Sequence, residues 1–252
     1  VPKLVTAVVP AAGQGTRLGS NTPKQFLTLG DRPLLAHSLQ ILASIETIQE
    51  IIIAIPDTDQ EYCRKEVLQY LSTPKVIRLV PGGARRQDSV RHALDALTNQ
   101  PDFVLIHDAA RPFLTTDMLD RAIQVAIQIG ASVVALPMPD TVKYVNGSGM
   151  IEHTVNREHL WLAQTPQVFR FDWLLKAHQW AHDQNLDVTD DAALVEQFGF
   201  PVSVVPGSSM NLKITRPEDL TLGEIIWKSR HKEHQDTAWS CRTTKQSNTV
   251  KT

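Results

Sequence analysis

The chain has 252 residues, of which 42% are hydrophobic, and a formal charge of −2. That size and apolar content suit one sizeable core in a single α/β domain, and the near-neutral balance excludes a broad basic field for nucleic acid. No apolar run reaches the roughly 18 residues of a membrane span, and the two cysteines, Cys63 and Cys241, are too few and too distant for a disulfide framework.

Val1-Pro2-Lys3 leads straight into an apolar run with no signal-peptide pattern. The expected setting is reducing: the cytoplasm, or a plastid if a transit peptide has been removed. Val5–Val9 reads as a buried strand, and small residues plus Gly13 and Gly15 end it. Such residues let backbone N–H groups approach a phosphate chain, and Arg17 and Lys24 add positive charge beside it. The loop is neither a Walker A motif, which needs a Gly-Lys pair, nor a dinucleotide fingerprint, because Leu18 stands where the third glycine belongs.

Further along, apolar runs at Ile51–Ile55, Val76–Val80, Phe103–His107, Ser132–Leu136 and Val202–Val205 predict strands. Helical patterns fall between the first five strands, at Leu34–Ala43, Gln60–Leu71, Gln87–Leu97 and Met118–Ile129. One helix per interval predicts a mostly parallel sheet of Rossmann-like type, with ligands beyond the carboxyl ends of its strands. The stretch 137–165 breaks the rhythm. Its Asn146-Gly147-Ser148-Gly149 turn, between Val142–Val145 and Met150–Val155, predicts a protruding β-hairpin arm. A lone hairpin is marginal in water, so a partner subunit is expected to cover it. Phe171–Gln184 and Ala192–Phe198 read as helices, the second with Thr189 as N-cap. Thr215-Arg216-Pro217-Glu218 has capping-box spacing and opens a helix to about Trp227. The domain is thus expected over 1–228, and the polar stretch 229–252 as a disordered tail.

Asp108, at the end of a strand and facing the glycine loop, is placed to hold Mg²⁺ directly or through its waters; a cap or an Asp108–Arg111 ion pair is the plainer alternative. His107 reads as a packed, hydrogen-bonded histidine. Gly82-Gly83-Ala84-Arg85-Arg86 enters a helix where backbone groups can read a base edge and Ser89 a base or sugar. Arg86 is expected to be the structured arginine of the pair, and Arg85 a solvated charge. Arg157, Thr165, Thr189 and Lys213 are individually unremarkable.

The ordered set is more telling. Ala-Ala-Gly-x-Gly-x-Arg with Pro23-Lys24-Gln25 comes first, then Gly-Gly-x-x-Arg-x-x-Ser-Val and His-Asp-Ala-Ala-Arg-Pro. Asp140-Thr141-Val142-Lys143, Gln164-Thr165-Pro166-Gln167, Thr189-Asp190-Asp191-Ala192 and Asn211-x-Lys213-Ile214-Thr215 follow. From about Leu4 to Trp227 the chain closely resembles the 2-C-methyl-D-erythritol 4-phosphate cytidylyltransferase family of non-mevalonate isoprenoid synthesis. The resemblance implies a homodimer, joined through the hairpin arm, that uses CTP, Mg²⁺ and a polyol phosphate. It implies that Ala11, Ala12, Gly13 and Gly15 cradle the triphosphate, with Arg17 and Lys24 stabilising the transition state. By the same carry-over, Gly83, Ala84 and Ser89 read cytosine and ribose. Asp108 serves metal and sugar, while Arg111, Thr141, Arg157, Thr165, Thr189 and Lys213 surround the phosphosugar. A cytidylyltransferase for another polyol phosphate, such as ribitol 5-phosphate, and a non-catalytic nucleotide-binding module are the alternatives.

Overall fold

A computed structural model describes residues 3–13 and 22–246, with residues 233–246 as backbone only. Gly15 and Arg17 lie outside the described residues. The chain begins with β1 (Val5–Pro10), a small hairpin of β2 (Thr28–Leu29) and β3 (Arg32–Pro33), α1 (Leu34–Ser44) and β4 (Ile48–Ile55). Next come a short α2 (Gln60–Tyr62), β5 (Val76–Pro81), α3 (Arg86–Asp95), β6 (Phe103–Ile106), α4 (Thr116–Ile129) and β7 (Ala131–Pro137). The second half holds β8 (Val142–Val145), β9 (Ile151–Val155), β10 (Trp161–Arg170), α5 (Phe171–Asp183), α6 (Asp191–Gln197), β11 (Ser203–Pro206) and α7 (Pro217–Gln246).

The main sheet has seven strands in the order β11-β7-β10-β6-β1-β4-β5. Every ladder is parallel except those of β10, which runs antiparallel to both β6 and β7. This is the expected mainly parallel α/β fold. Successive side chains on a strand point to opposite faces, and the strands use both faces for apolar burial. On β4, Ile51, Ile53 and Ile55 pack with α1 and α4 on one side, while Ile52 and Ala54 pack with α3, α5 and α6 on the other. A third cluster joins Leu29, Leu34, Phe113, Ile214 and Ile226, which seats the start of α7 on the β2–β3 hairpin. There Gly30 has φ +63°, and a Cβ on it would sit 2.1 Å from the Trp227 ring, so only glycine fits.

Several expectations change. β10 was hidden because Pro166 interrupts it; proline cannot donate to a ladder, and the register of β10 against β7 breaks between Ala163 and Gln167. Trp161–Thr165 therefore belongs to the central sheet, and Pro137 to β7. The arm shortens to 138–160, with β8 and β9 paired only to each other. The helix expected over Gln60–Leu71 divides into short 3-10, α and π turns, because its buried contacts are few, Cys63 and Val67. The N-cap of α6 is Asp190, whose Oδ1 accepts from Ala193 N at 3.0 Å, rather than Thr189. Finally, α7 runs on to Gln246, past the end expected near Trp227, because no glycine or proline follows Gly223 to stop it. Its first turn is held by Asp219, not Glu218: Asp219 Oδ2 accepts from Thr215 N and Arg216 N at 2.8 Å.

Among the described residues no helix is long and apolar enough to cross a membrane.

Candidate active site

The carboxyl ends of β1, β4, β5 and β6 open onto one cleft, as strand order predicts. Its walls are the glycine loop after β1 and the Gly82-Gly83-Ala84 turn after β5, and these are pressed together. A Cβ on Gly82 would lie 2.2 Å from Ala12 Cβ, and one on Gly83 would lie 2.3 Å from Asp88 Cβ. A larger residue at Gly82 would force the two walls apart, and one at Gly83 would push the turn off the start of α3. Ala11, Ala12, Gly13, Gly83, Ala84 and Ser89 all line the cleft.

Lys24 closes one end. Its Nζ lies 3.8 Å from where a Cβ on Gly13 would stand, so the amine is held over the glycine loop. Ser89 is buried, and its hydroxyl serves the wall itself, accepting from Gly83 N at 3.0 Å and donating to Arg85 O at 3.2 Å. Arg85 is not simply solvated. It grips Asp88 at 2.8 Å across the first turn of α3.

At the far end of the cleft lies the charged centre. Asp108, 7% exposed, follows β6 and meets three cations: Lys213 Nζ at 2.7 Å, Arg86 Nε at 3.0 Å and Arg111 Nε at 3.9 Å. Burial pushes its carboxyl up, but Arg86, Lys213 and Arg111 outweigh burial and hold it well below the usual carboxylate range. Asp108 is therefore a fixed anion. The Asp108–Arg111 ion pair offered as the plainer reading exists, but it is the longest of the three.

Behind Asp108 the hydrogen bonds fix a tautomer. The Arg111 carbonyl only accepts, so His107 Nε2, 3.0 Å away, carries the proton and donates. His107 Nδ1 then accepts from the Thr165 hydroxyl at 3.1 Å, and Thr165 Oγ1 accepts from Asp108 N at 3.0 Å. Burial pushes the His107 imidazole down to about 4, so the ring is neutral near neutral pH. This matches the packed histidine expected from sequence. It also commits Thr165, buried at 3% exposure, to Asp108 and His107.

A second cleft lies across Asp108, lined by Arg111, Thr165, Thr189 and Lys213. Arg86, Asp108 and Lys213 line both clefts and form the wall between them. Two residues before Lys213, Asn211 ties its segment to the site: its Nδ2 donates to Thr165 O at 2.9 Å, and its backbone carbonyl accepts from Arg111 Nη1 at 2.8 Å. Arg157 and Thr141 are not brought here. Both are exposed on the arm, where Arg157 Nη1 donates to the Pro139 carbonyl.

Sequence reasoning left Arg86, Asp191, His178 and Asn211 out of the site. Arg86 is the structured arginine, as expected, and it is ordered by Asp108 and Asp191. Partners 22 and 105 residues away leave no local signal.

A model of the 2-C-methyl-D-erythritol 4-phosphate cytidylyltransferase family matches residues 5–229. Proteins of that name from Pelotomaculum thermopropionicum and Syntrophotalea carbinolica are 42% and 44% identical, over 90% and 88% of this chain and 95% of each relative. Among solved structures, the 4-diphosphocytidyl-2C-methyl-D-erythritol synthase of Anaerococcus prevotii superposes with TM-score 0.79 at 30% identity. That match covers 90% of this chain and 100% of the other. The 2-C-methyl-D-erythritol 4-phosphate cytidylyltransferase of Thermus thermophilus gives TM-score 0.71 at 36% identity, covering 88% of this chain and 98% of the other. This chain belongs to the 2-C-methyl-D-erythritol 4-phosphate cytidylyltransferase family.

Proposed function

We infer that this chain transfers CMP from CTP to 2-C-methyl-D-erythritol 4-phosphate, releasing pyrophosphate and giving 4-CDP-2-C-methyl-D-erythritol for isoprenoid synthesis. The observation that carries the reading is the line of cations along the two clefts: Lys24 over Gly13 at one end, and Lys213 and Arg111 on Asp108 at the other. The glycine loop and Lys24 take the triphosphate, and the Gly83-Ala84 turn takes cytosine. The cleft beyond Asp108 takes the phosphosugar.

The reaction needs no general base. A phosphate monoester is already an anion at neutral pH, so its oxygen can attack the α-phosphorus directly. The new P–O bond forms as the bond to the β-phosphate breaks, and the electron pair leaves with pyrophosphate. The barrier is the approach of two anions. Fixed cations lower it by positioning and by stabilising charge in the five-coordinate transition state. Lys24, with Arg17 outside the described residues, is assigned to the α-phosphate, and Lys213 to the incoming phosphate.

Mg²⁺ fits this site through Asp108, the only carboxylate lining the nucleotide cleft among the described residues. No cluster of three or more His, Cys, Asp or Glu exists there to enclose an ion. Mg²⁺ binds comfortably through one carboxylate when phosphates and water supply the rest. Bound so, it neutralises triphosphate charge.

A homodimer joined through the arm accounts for Arg157 and Thr141, which a single chain leaves outside both clefts. Tyr144, Val145, Met150 and Ile151 on the arm are exposed apolar side chains that a second subunit would cover. The catalytic unit is then 1–228. A reducing cytoplasm suits the free, buried Cys63 thiol.

Pyrophosphate release measured with CTP, UTP, ATP and GTP, each against 2-C-methyl-D-erythritol 4-phosphate and ribitol 5-phosphate, tests the reading. Turnover is expected with CTP and the methylerythritol phosphate. Faster turnover of ribitol 5-phosphate would overturn the acceptor, and no turnover with any pair would leave a nucleotide-binding module.

A further inference from the structure

A chain of buried charges runs from Asp108 into the body of the protein, away from both clefts. Arg86, the first residue of α3, donates from Nε to Asp108 Oδ1 at 3.0 Å and from Nη1 to Asp191 Oδ2 at 2.5 Å. Asp191, the first residue of α6, is 1% exposed, and its other oxygen lies 3.0 Å from Nε2 of His178 on α5. His178 is itself 2% exposed. The start of α6 is pinned in turn to β10, because Gln167 donates to Asp190 Oδ2 at 2.7 Å and accepts from Ala192 N at 3.1 Å.

We propose that Arg86 is a positioning residue for Asp108, and that Asp191, seated on His178, holds Arg86 in its productive orientation. Guanidinium is a rigid fork, so fixing one of its nitrogens aims the others. Asp191 is the counter-anchor: without it, nothing among the described residues ties the far side of the Arg86 fork. The Nη2 atom is buried and has no hydrogen-bond partner among the described residues. Burial pulls the Arg86 guanidinium down, but Asp191 and Asp108 more than offset this and raise it above its ordinary value, so it stays charged. The chain thus keeps Asp108 ionised and aimed at the wall between the clefts, while Lys213 remains free to exchange partners from Asp108 to an incoming phosphate. Neither His178 nor Asp191 lines a cleft; Asp191 meets the lining at Arg86, and His178 reaches it through Asp191.

This rests on the assignment of Asp108 to the reaction, and the test separates the two. His178→Asn and Asp191→Asn are made singly and in combination with Asp108→Asn, and kcat and KM are measured for each substrate alongside melting temperature. Each single change is expected to lower kcat/KM for the phosphosugar about tenfold, an ordinary coupling within one hydrogen-bond network. In the Asp108→Asn background either change should add less than about twofold. Equal losses in both backgrounds would overturn the proposal. Should Asp191→Asn fail to fold, His178→Asn, which does not touch Arg86, decides the matter. Wild-type kinetics for Asp108→Asn alone would instead remove Asp108 from the reaction.

Discussion

Replacing Thr165 by valine separates a hydroxyl that builds the site from one that binds substrate. Valine matches threonine in shape but removes the oxygen that accepts from Asp108 N and donates to His107 Nδ1. Both partners sit in the buried core of the site, with His107 at 0% exposure and Asp108 at 7%. Leaving a buried polar group unpaired costs about 1–3 kcal/mol, so two put the loss near roughly 2–6 kcal/mol. For a chain of this size each kcal/mol shifts the melting temperature by about 2–4 °C, which predicts a fall of roughly 4–24 °C. Differential scanning fluorimetry on Thr165→Val and Thr165→Ser reads this, and the serine variant should stay within about 1 kcal/mol of wild type because it keeps the hydroxyl. Activity is measured in parallel. A valine variant that melts with wild type while its KM for the phosphosugar rises would refute the reasoning and make Thr165 a direct substrate ligand.

Other outcomes follow from the same geometry. Because burial holds His107 near 4 while an unfolded histidine titrates near 6.5, the unfolded chain takes up the proton first as pH falls. Stability is therefore full above about 6.5 and is lost towards 4, by about 3 kcal/mol, in urea melts without divalent cation; a flat profile over that window would contradict the neutral ring. Lys24→Ala should cut kcat by roughly 10²–10³ while CTP affinity, read by calorimetry, changes far less; unchanged turnover at saturating substrates would remove Lys24 from the transition state. Mixing Arg157→Ala subunits with Lys24→Ala subunits should restore activity, since in a mixed dimer one site carries both defects and the other neither. No recovery in mass-verified mixed dimers would confine Arg157 to its own subunit.

The sheet was legible because its signal is local. Runs such as Ile51–Ile55 are apolar on both faces, which only a strand covered on both sides tolerates, and that is where β4 lies. β10 escaped because Pro166 and the polar Gln164 and Gln167 break the run, although those same residues bulge the strand and bring Thr165 to Asp108. The glycine loop, Lys24 and Asp108 could be found from spacing and residue type, whereas Lys213 entered through the family resemblance. Arg86, Asp191 and His178 could not, because charges that meet through tertiary packing leave no periodicity. Thr141 and Arg157 entered through the family resemblance alone, and one chain does not bring them to the cleft.

The central claim is direct attack by the phosphosugar on the α-phosphorus of CTP. Supplying 2-C-methyl-D-erythritol 4-phosphate with ¹⁸O in its phosphate, and following both products by mass spectrometry and ³¹P NMR, tests it most directly. The account predicts that one 4-CDP-2-C-methyl-D-erythritol forms per pyrophosphate, with all of the label retained in the CDP product and none in pyrophosphate. Label in pyrophosphate, or pyrophosphate released with no CDP product, would contradict it.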